Sequence, residues 1–398
     1  MNARIVVTGA GVISPLAAAR EPFERAMFDG ACGISPSGLF EGAFTAGIVD
    51  FVPQTWLGNK GIRALDRTAH LLCVAARMAL AEAGLEGRST ELELGLVCGT
   101  VFGGLESIVA FDWSGLTDGP NLVSPMDFAN TVINSPAGQA AIMHKLRGVN
   151  STVSAGLASG LHALNYAADF LRFGRGSILL AGGVEELREH SVVGFERLGL
   201  CSVSRAIRPF GRERDGSIPG EGSLLWVLET DENARQRGVT PCFEIAGFGT
   251  SFDAHSIRDY DMSADGAVAA ILMALKNAAI ESDSVACIVA SANGSPSGDA
   301  MEARALRRVF GPRLGDIPVC APKAALGEAM GASGAYAAHI AGCALQRQSL
   351  PPTVHGDAPD FGIRLSDKPQ PVHGNYALVN AFGCDGNNAA MILKLWTN

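Results

Sequence analysis

The stretch Ser154-Ala155-Gly156-Leu157-Ala158-Ser159-Gly160 is where residue types and spacing come closest to chemistry. A strand, Ser151-Thr152-Val153-Ser154, runs into small residues, and a helix then begins. That geometry presents residue 157 at a helix N-terminus, where free N–H groups and the dipole favour an anion and activate a nucleophile. The seat holds leucine, which has no lone pair. Other candidates have ordinary readings. Gly9-Ala10-Gly11-Val12-Ile13-Ser14 lacks the third glycine of a dinucleotide fingerprint and runs into Pro15, so a strand-ending turn is expected. Glu186 and His190 stand at i,i+4 with no third metal ligand in view and are expected to be exposed residues at a helix end. Arg205, Arg208, Arg212 and Arg214 form a basic cluster, read either as ion pairing within the fold or as a dock for an anionic partner.

The chain that must position these groups has 398 residues, 47% of them hydrophobic and 18% charged, enough apolar surface for a large core and too little charge for a disordered chain. Lys and Arg number 31 against 40 Asp and Glu, a net charge of −9 that argues against a nucleic-acid partner. Nine cysteines are scattered singly, without a C-x-x-C pair, and read as reduced thiols of a cytoplasmic protein, in which the sequon Asn150-Ser151-Thr152 has no meaning. No apolar run of about 18 residues exists to span a membrane.

Helical patterns at 66–84, 160–173, 266–280, 300–310 and 332–347 alternate with apolar strands at 94–98, 177–181, 223–228, 285–290, 376–380 and 389–395, which predicts an α/β fold with mostly parallel, buried sheets. The phrase IVVTGAGVIS (5–14) resembles FEIAGFGTS (243–251), and ASGLHALNYAADFL (158–171) resembles ASGAYAAHIAGCAL (332–345). Each half closes on an apolar strand, LLWVLE (224–229) and AMILKL (390–395). The chain therefore reads as a duplication, with an N-terminal half over 1–235 that carries inserted loops and a C-terminal half over 236–398. DENARQRG (231–238) reads as a short polar helix between them.

Ordered motifs along the whole chain resemble the β-ketoacyl-[acyl carrier protein] synthases: VVTGAGVISP (6–15), CGTVFGGLES (98–107), LLAGGVEE (179–186), RPFGRERDGSIPGEG (208–222), GDAMEARALRRVFG (298–311), PKAALGEAMGASGA (322–335) and NAFGCDGNNAA (380–390). The resemblance implies the thiolase fold, two α/β halves in five layers (αβαβα) with pseudo-twofold symmetry. It implies a reaction in which a cysteine accepts an acyl chain and two histidines hydrogen-bond a malonyl carbonyl as carbon dioxide leaves, with acyl groups delivered on the phosphopantetheine of an acyl carrier protein and no other cofactor or metal.

Carried over position by position, the resemblance implies that this machinery is missing. The cysteine of T-A-C-x-S-G falls on Leu157, the histidine of N-A-H-G-T on Asn293 in a loop two residues shorter, and the histidine of K-x-x-x-G-H on Glu328, with the lysine kept as Lys323. In the G-F-G-G loop, which follows Phe382, the gating phenylalanine becomes Cys384 and the next glycine Asp385. Asn293 can still donate a hydrogen bond; Glu328 would repel an enolate and is expected to pair with Lys323. Cys384 is either a small pocket-lining residue or a substitute nucleophile. The chain thus resembles the chain-length factors, non-catalytic homologues that pair with an active ketosynthase and shape the tunnel for the growing chain, here lined by Leu157, Phe382, Cys384 and Asp385. Aromatic-polyketide members place glutamine where Leu157 stands, so a type II system making a polyene such as an aryl polyene is the expectation. The alternatives are an acyltransferase with altered residues and a homodimeric acyl-binding scaffold. The Arg205–Arg214 cluster is a possible dock for the carrier protein.

Overall fold

The computed structural model describes residues 3–88, 91–356 and 361–397. Ten strands form one sheet: β1 (Ile5–Ile13), β2 (Gly95–Gly99), β3 (Asn150–Val153), β4 (Ile178–Glu185), β5 (Gly222–Thr230), β6 (Phe243–Phe252), β7 (Val285–Val289), β8 (Val319–Cys320), β9 (Tyr376–Phe382) and β10 (Asn387–Leu395). Their order is β8-β7-β9-β10-β6-β1-β5-β4-β2-β3. Outward from the central β1–β6 pairing the two sides repeat the same pattern, 1-5-4-2-3 and 6-10-9-7-8, with matching antiparallel and parallel steps. The phrases that repeat in the sequence fall on β1 and β6, and on β5 and β10, which hold equivalent places in the two sides.

Three apolar clusters separate the layers. On the outer N-terminal face, Leu71, Leu72 and Val74 of α1 (Arg67–Glu82) pack on Leu96, Leu180 and Leu225. Between the two sides of the sheet lie α3 (Ser159–Arg172) and α6 (Ser333–Arg347), contributing Leu161, Leu164, Tyr336 and Ile340. On the outer C-terminal face, Ile271 of α4 (Asp265–Asn277) and Leu306 of α5 (Pro296–Phe310) cover Ile288, Leu378 and Ile392. This is the five-layered, duplicated α/β architecture of the thiolase fold.

Two expectations need correcting. The sheet is not mostly parallel: among the described residues five of its pairings are antiparallel and four parallel. Strands β1, β5, β6 and β10 are buried along most of their length because helices cover both faces, so a continuous apolar run arises without parallel pairing. Nor is Gly9–Ile13 a turn: it is the second half of β1, which ends only at Ile13. A β-carbon at Gly11 would overlap the carbonyl of Ala75, and one at Gly249 would overlap that of Ala270. The glycines let α1 and α4 lie directly on the two central strands.

One surface is left open. Among the described residues strand β3 pairs only with β2 and forms an edge of the sheet. Helix α2 (Leu105–Thr117) buries no residue, although Ile108, Val109, Phe111, Trp113 and Leu116 make it largely apolar. Trp113 is 66% and Leu116 82% exposed, and Leu122 and Ile142 are exposed in the same region of the chain.

Candidate functional site

Strand β3 ends at Val153, and α3 begins at Ser159. The intervening turn is held by Ser159 Oγ, which accepts from the Ala155 N–H (2.9 Å) and donates to the Gly156 carbonyl (2.6 Å). Gly156 has φ +52°, the left-handed region. Leu157 is half-buried just ahead of the helix. The first turn of α3 rests on the segment 331–335, since a β-carbon at Gly160 would overlap the Gly331 carbonyl.

Across that contact lies a buried polar network. Glu328 is 1% exposed. Its Oε2 accepts from Lys323 Nζ (2.7 Å) and Asn293 Nδ2 (3.0 Å), and its Oε1 accepts from Ser333 Oγ (2.8 Å) and the Met330 N–H (3.1 Å). Four donors occupy the four lone-pair directions of one carboxylate, so none remains to take a proton from substrate. Asn293 is tied to the same network: its Nδ2 donates one hydrogen to Glu328, and its Oδ1 accepts from the Ser295 N–H (3.1 Å). The structure thus joins Asn293, Glu328 and Lys323 directly, and Leu157 to them through the packing of α3.

The 383–386 loop closes the other side. Cys384 is half-buried, and its thiol is pushed upward, first by burial and then by the charges of Asp385, Glu328 and Asp259. Its ionised form is disfavoured, contrary to what a nucleophile needs. Asp385 accepts from Asn387 Nδ2 (2.8 Å) and lies against Gly156. Phe382 is buried in the outer C-terminal core, its N–H donating to Ser291 Oγ (2.9 Å).

The four arginines differ in exposure and contacts. Arg205 is exposed and stacks over Phe44, 5.1 Å from the ring centre, and Arg212 is exposed. Arg208 is half-buried beside Gly294. Arg214 donates to the Gly211 carbonyl (2.8 Å) and covers Phe361 at 4.8 Å. Glu186 is not exposed at a helix end: it is 1% exposed, precedes the helix Glu189–Arg197, accepts from the Glu106 N–H (2.9 Å) and pairs with Arg188 (3.2 Å). Only His190 reaches solvent.

Among the described residues, Glu24, His339 and Cys343 have the types and closeness of metal ligands. The indole of Trp226 donates to His339 Nδ1 (3.2 Å), which places the imidazole proton on Nε2 and leaves no lone pair there for an ion. Arg347 (2.8 Å) and Arg20 (3.3 Å) already hold Glu24. Among the described residues, no helix is long and apolar enough to cross a membrane.

Sequence reasoning passed over the carboxylates of α5, although they stand at i,i+3 in the quoted stretch 298–311. Asp299 accepts from the N–H groups of Phe210 (2.8 Å) and Asn293 (3.1 Å), and so fixes the Asn293 loop. Glu302 accepts from the Ser291 N–H (3.0 Å) and Asn380 Nδ2 (2.9 Å). Burial pushes Asp299 up to about 7 against the pull of the two N–H donors. Between its ordinary value and about 7, the folded chain keeps a proton that the unfolded chain has lost. This group's contribution therefore makes stability fall as pH rises across that window and level off above it. Urea midpoints measured from pH 4 to pH 8 are expected to decline less steeply in Asp299→Asn than in the wild type; parallel profiles would refute the assignment.

Residues 2–234 match the family described as Beta-ketoacyl synthase, N-terminal domain, and residues 242–357 match Beta-ketoacyl synthase, C-terminal domain. The chain is 32% identical to the 3-oxoacyl-[acyl-carrier-protein] synthase 2 of Rhizobium meliloti (strain 1021), with 99% of each chain covered. Among solved structures it is similar to one described as the ishigamide ketosynthase/chain length factor, with 28% identity, a TM-score of 0.91 and 100% of both chains covered. It is also similar to a chain of the structure described as a type II PKS acyl-carrier protein in complex with its ketosynthase bound to the hexaketide, with 25% identity, a TM-score of 0.89 and again 100% of both chains covered.

Proposed function

The chain belongs to the beta-ketoacyl synthase family, and from that premise we propose that it is a chain-length-factor-like subunit, which pairs with a catalytic ketosynthase and shapes the tunnel that receives the growing acyl or polyketide chain. The observation that carries this reading is the saturated Glu328 carboxylate. At a position where the family's reaction needs a neutral donor, this chain has an anion fully engaged by Lys323, Asn293, Ser333 and Met330. With leucine at 157 no group is left to form a thioester, and of the two groups that would hold an enolate one is replaced by an anion and the other, Asn293, turns an amide hydrogen to that anion. A substitute nucleophile at Cys384 is disfavoured by burial and by the surrounding carboxylates.

On this reading the substrate arrives on an acyl carrier protein docked mainly on the partner, the arginines from 205 to 214 adding local contacts. The halves 1–235 and 236–398 fold as one unit, and the complex works in the cytoplasm in type II polyketide or aryl-polyene synthesis. The similarity to a ketosynthase/chain length factor structure supports it. So does the open apolar surface around α2 and the β3 edge, which needs a cover in water.

Native mass spectrometry of the tagged protein captured from its own host tests the proposal. A 1:1 complex with a second chain identified as a ketosynthase bearing cysteine at the position of Leu157 is expected. A homodimer alone would sink the subunit reading.

A further inference from the structure

Two departures from the family pattern meet in space. Where T-A-C places alanine this chain has Gly156, and where the second glycine of G-F-G-G stands it has Asp385. A β-carbon at Gly156 would overlap Asp385 Oδ2, so the family's alanine would push this carboxylate out of the place it holds. The bulk added at 385 is accommodated by the bulk removed at 156, although the residues are far apart in sequence. The carboxylate is wedged on its other side against Gly383 and held by Asn387 through Nδ2 (2.8 Å) and N–H (3.4 Å). The loop is tied down further: the Gly383 N–H donates to the Asn387 carbonyl (2.9 Å) and the Asp253 N–H to the Gly386 carbonyl (2.8 Å).

We propose that Asp385 is a specificity-determining residue that closes the Leu157 seat to anionic groups, so that the site accepts the uncharged hydrocarbon body of an acyl chain and rejects a malonyl-type carboxylate or an oxyanion. The inference rests on the tunnel-forming role proposed above. A helix N-terminus carries roughly half a positive elementary charge, enough to favour an anion. Asp385 sets a full negative charge against the peptide immediately before Leu157, and the balance reverses. Its field reaches into α3: burial lowers the His162 imidazole, and Asp385 pulls it back up.

A thiol introduced by Leu157→Cys reports the local potential without any condensing activity. The full-length protein is alkylated with iodoacetamide, which is neutral, and with iodoacetate, which is anionic, and peptide mass spectrometry gives both rates at position 157. The iodoacetate-to-iodoacetamide ratio is expected to rise about tenfold when Asp385→Asn is added; an unchanged ratio overturns the proposal. If the substituted chain does not fold, NMR titration of His162 in Asp385→Asn alone decides. Its pKa falls if the Asp385 charge acts on the seat, and an unmoved pKa is fatal to the proposal. A ketosynthase complex that forms while the ratio stays put refutes only the role of Asp385. A shifted ratio in a chain that finds no ketosynthase refutes only the subunit reading.

Discussion

Glu328→Ala is expected to lower the free energy of unfolding by about 3–5 kcal/mol, the range for removing one partner of a buried ion pair. Lys323 is 7% exposed, and without Glu328 its ammonium group has lost the carboxylate 2.7 Å away. The side-chain donors of Asn293 and Ser333 and the Met330 N–H lose their acceptor in the same step. Glu328→Gln keeps the volume but turns an amide N–H2 toward some of these donors, so it is expected to recover little. Adding Lys323→Met to Glu328→Ala removes the stranded charge, and the double variant is expected to be more stable than Glu328→Ala alone. Urea unfolding followed by circular dichroism measures all three; a midpoint unchanged in Glu328→Ala would show that the network does not hold the fold. The same count bears on rebuilding the enzyme. Glu328→His supplies one acceptor nitrogen to four donors, so restoring the family's residue here destabilises the chain, and Leu157→Cys by itself is expected to give no condensation.

That network could be named from the sequence only as far as the family pattern reached. The pattern places Asn293 and Glu328 at the two histidine positions and keeps Lys323, and a lysine beside a glutamate suggests an ion pair. Ser333 and Asp299 carry no such mark, because the fold alone brings Ser333 to the Glu328 carboxylate and Asp299 to the backbone N–H groups of Phe210 and Asn293. The fold was legible where a repeat was visible: α3 and α6, like β1 and β6, carry similar phrases and take equivalent places. It was misread where one pattern has two causes. A strand buried on both faces looks the same in a parallel sheet and in an antiparallel sheet covered by helices, and the glycines of β1 look like a turn until α1 is seen lying on them. Glu186 was misplaced because a residue just before a helix and one on its exposed end have the same spacing to His190. Helix α2 gave only a weak periodic signal, since none of its residues is fully buried and its apolar residues Trp113 and Leu116 face water.

The thin burial of α2 leads to the largest expected effect on assembly. A helix with no buried residue but with Trp113 66% and Leu116 82% exposed is unstable in isolation as a water-facing element, and tryptophan is the residue type most enriched where a partner's surface closes over it. Trp113 and Leu116 stand at i,i+3 and so share one side of α2. Trp113→Glu and Leu116→Glu would each place a carboxylate on that side. If a ketosynthase covers α2, each substitution is expected to cost about 2 kcal/mol or more of association energy, roughly a 30-fold weaker complex, and the pair together should abolish it at micromolar concentration. The partner's product formation should stop with it. Because neither residue contributes to the buried core, the unfolding midpoint of the isolated chain is expected to stay within about 0.5 kcal/mol of the wild type. Sedimentation of the purified pair against thermal unfolding of the single chain separates the two effects. A double variant that still sediments as the full complex would move the interface elsewhere. One that unfolds early would make α2 part of the fold itself, packed more tightly than its exposure allows.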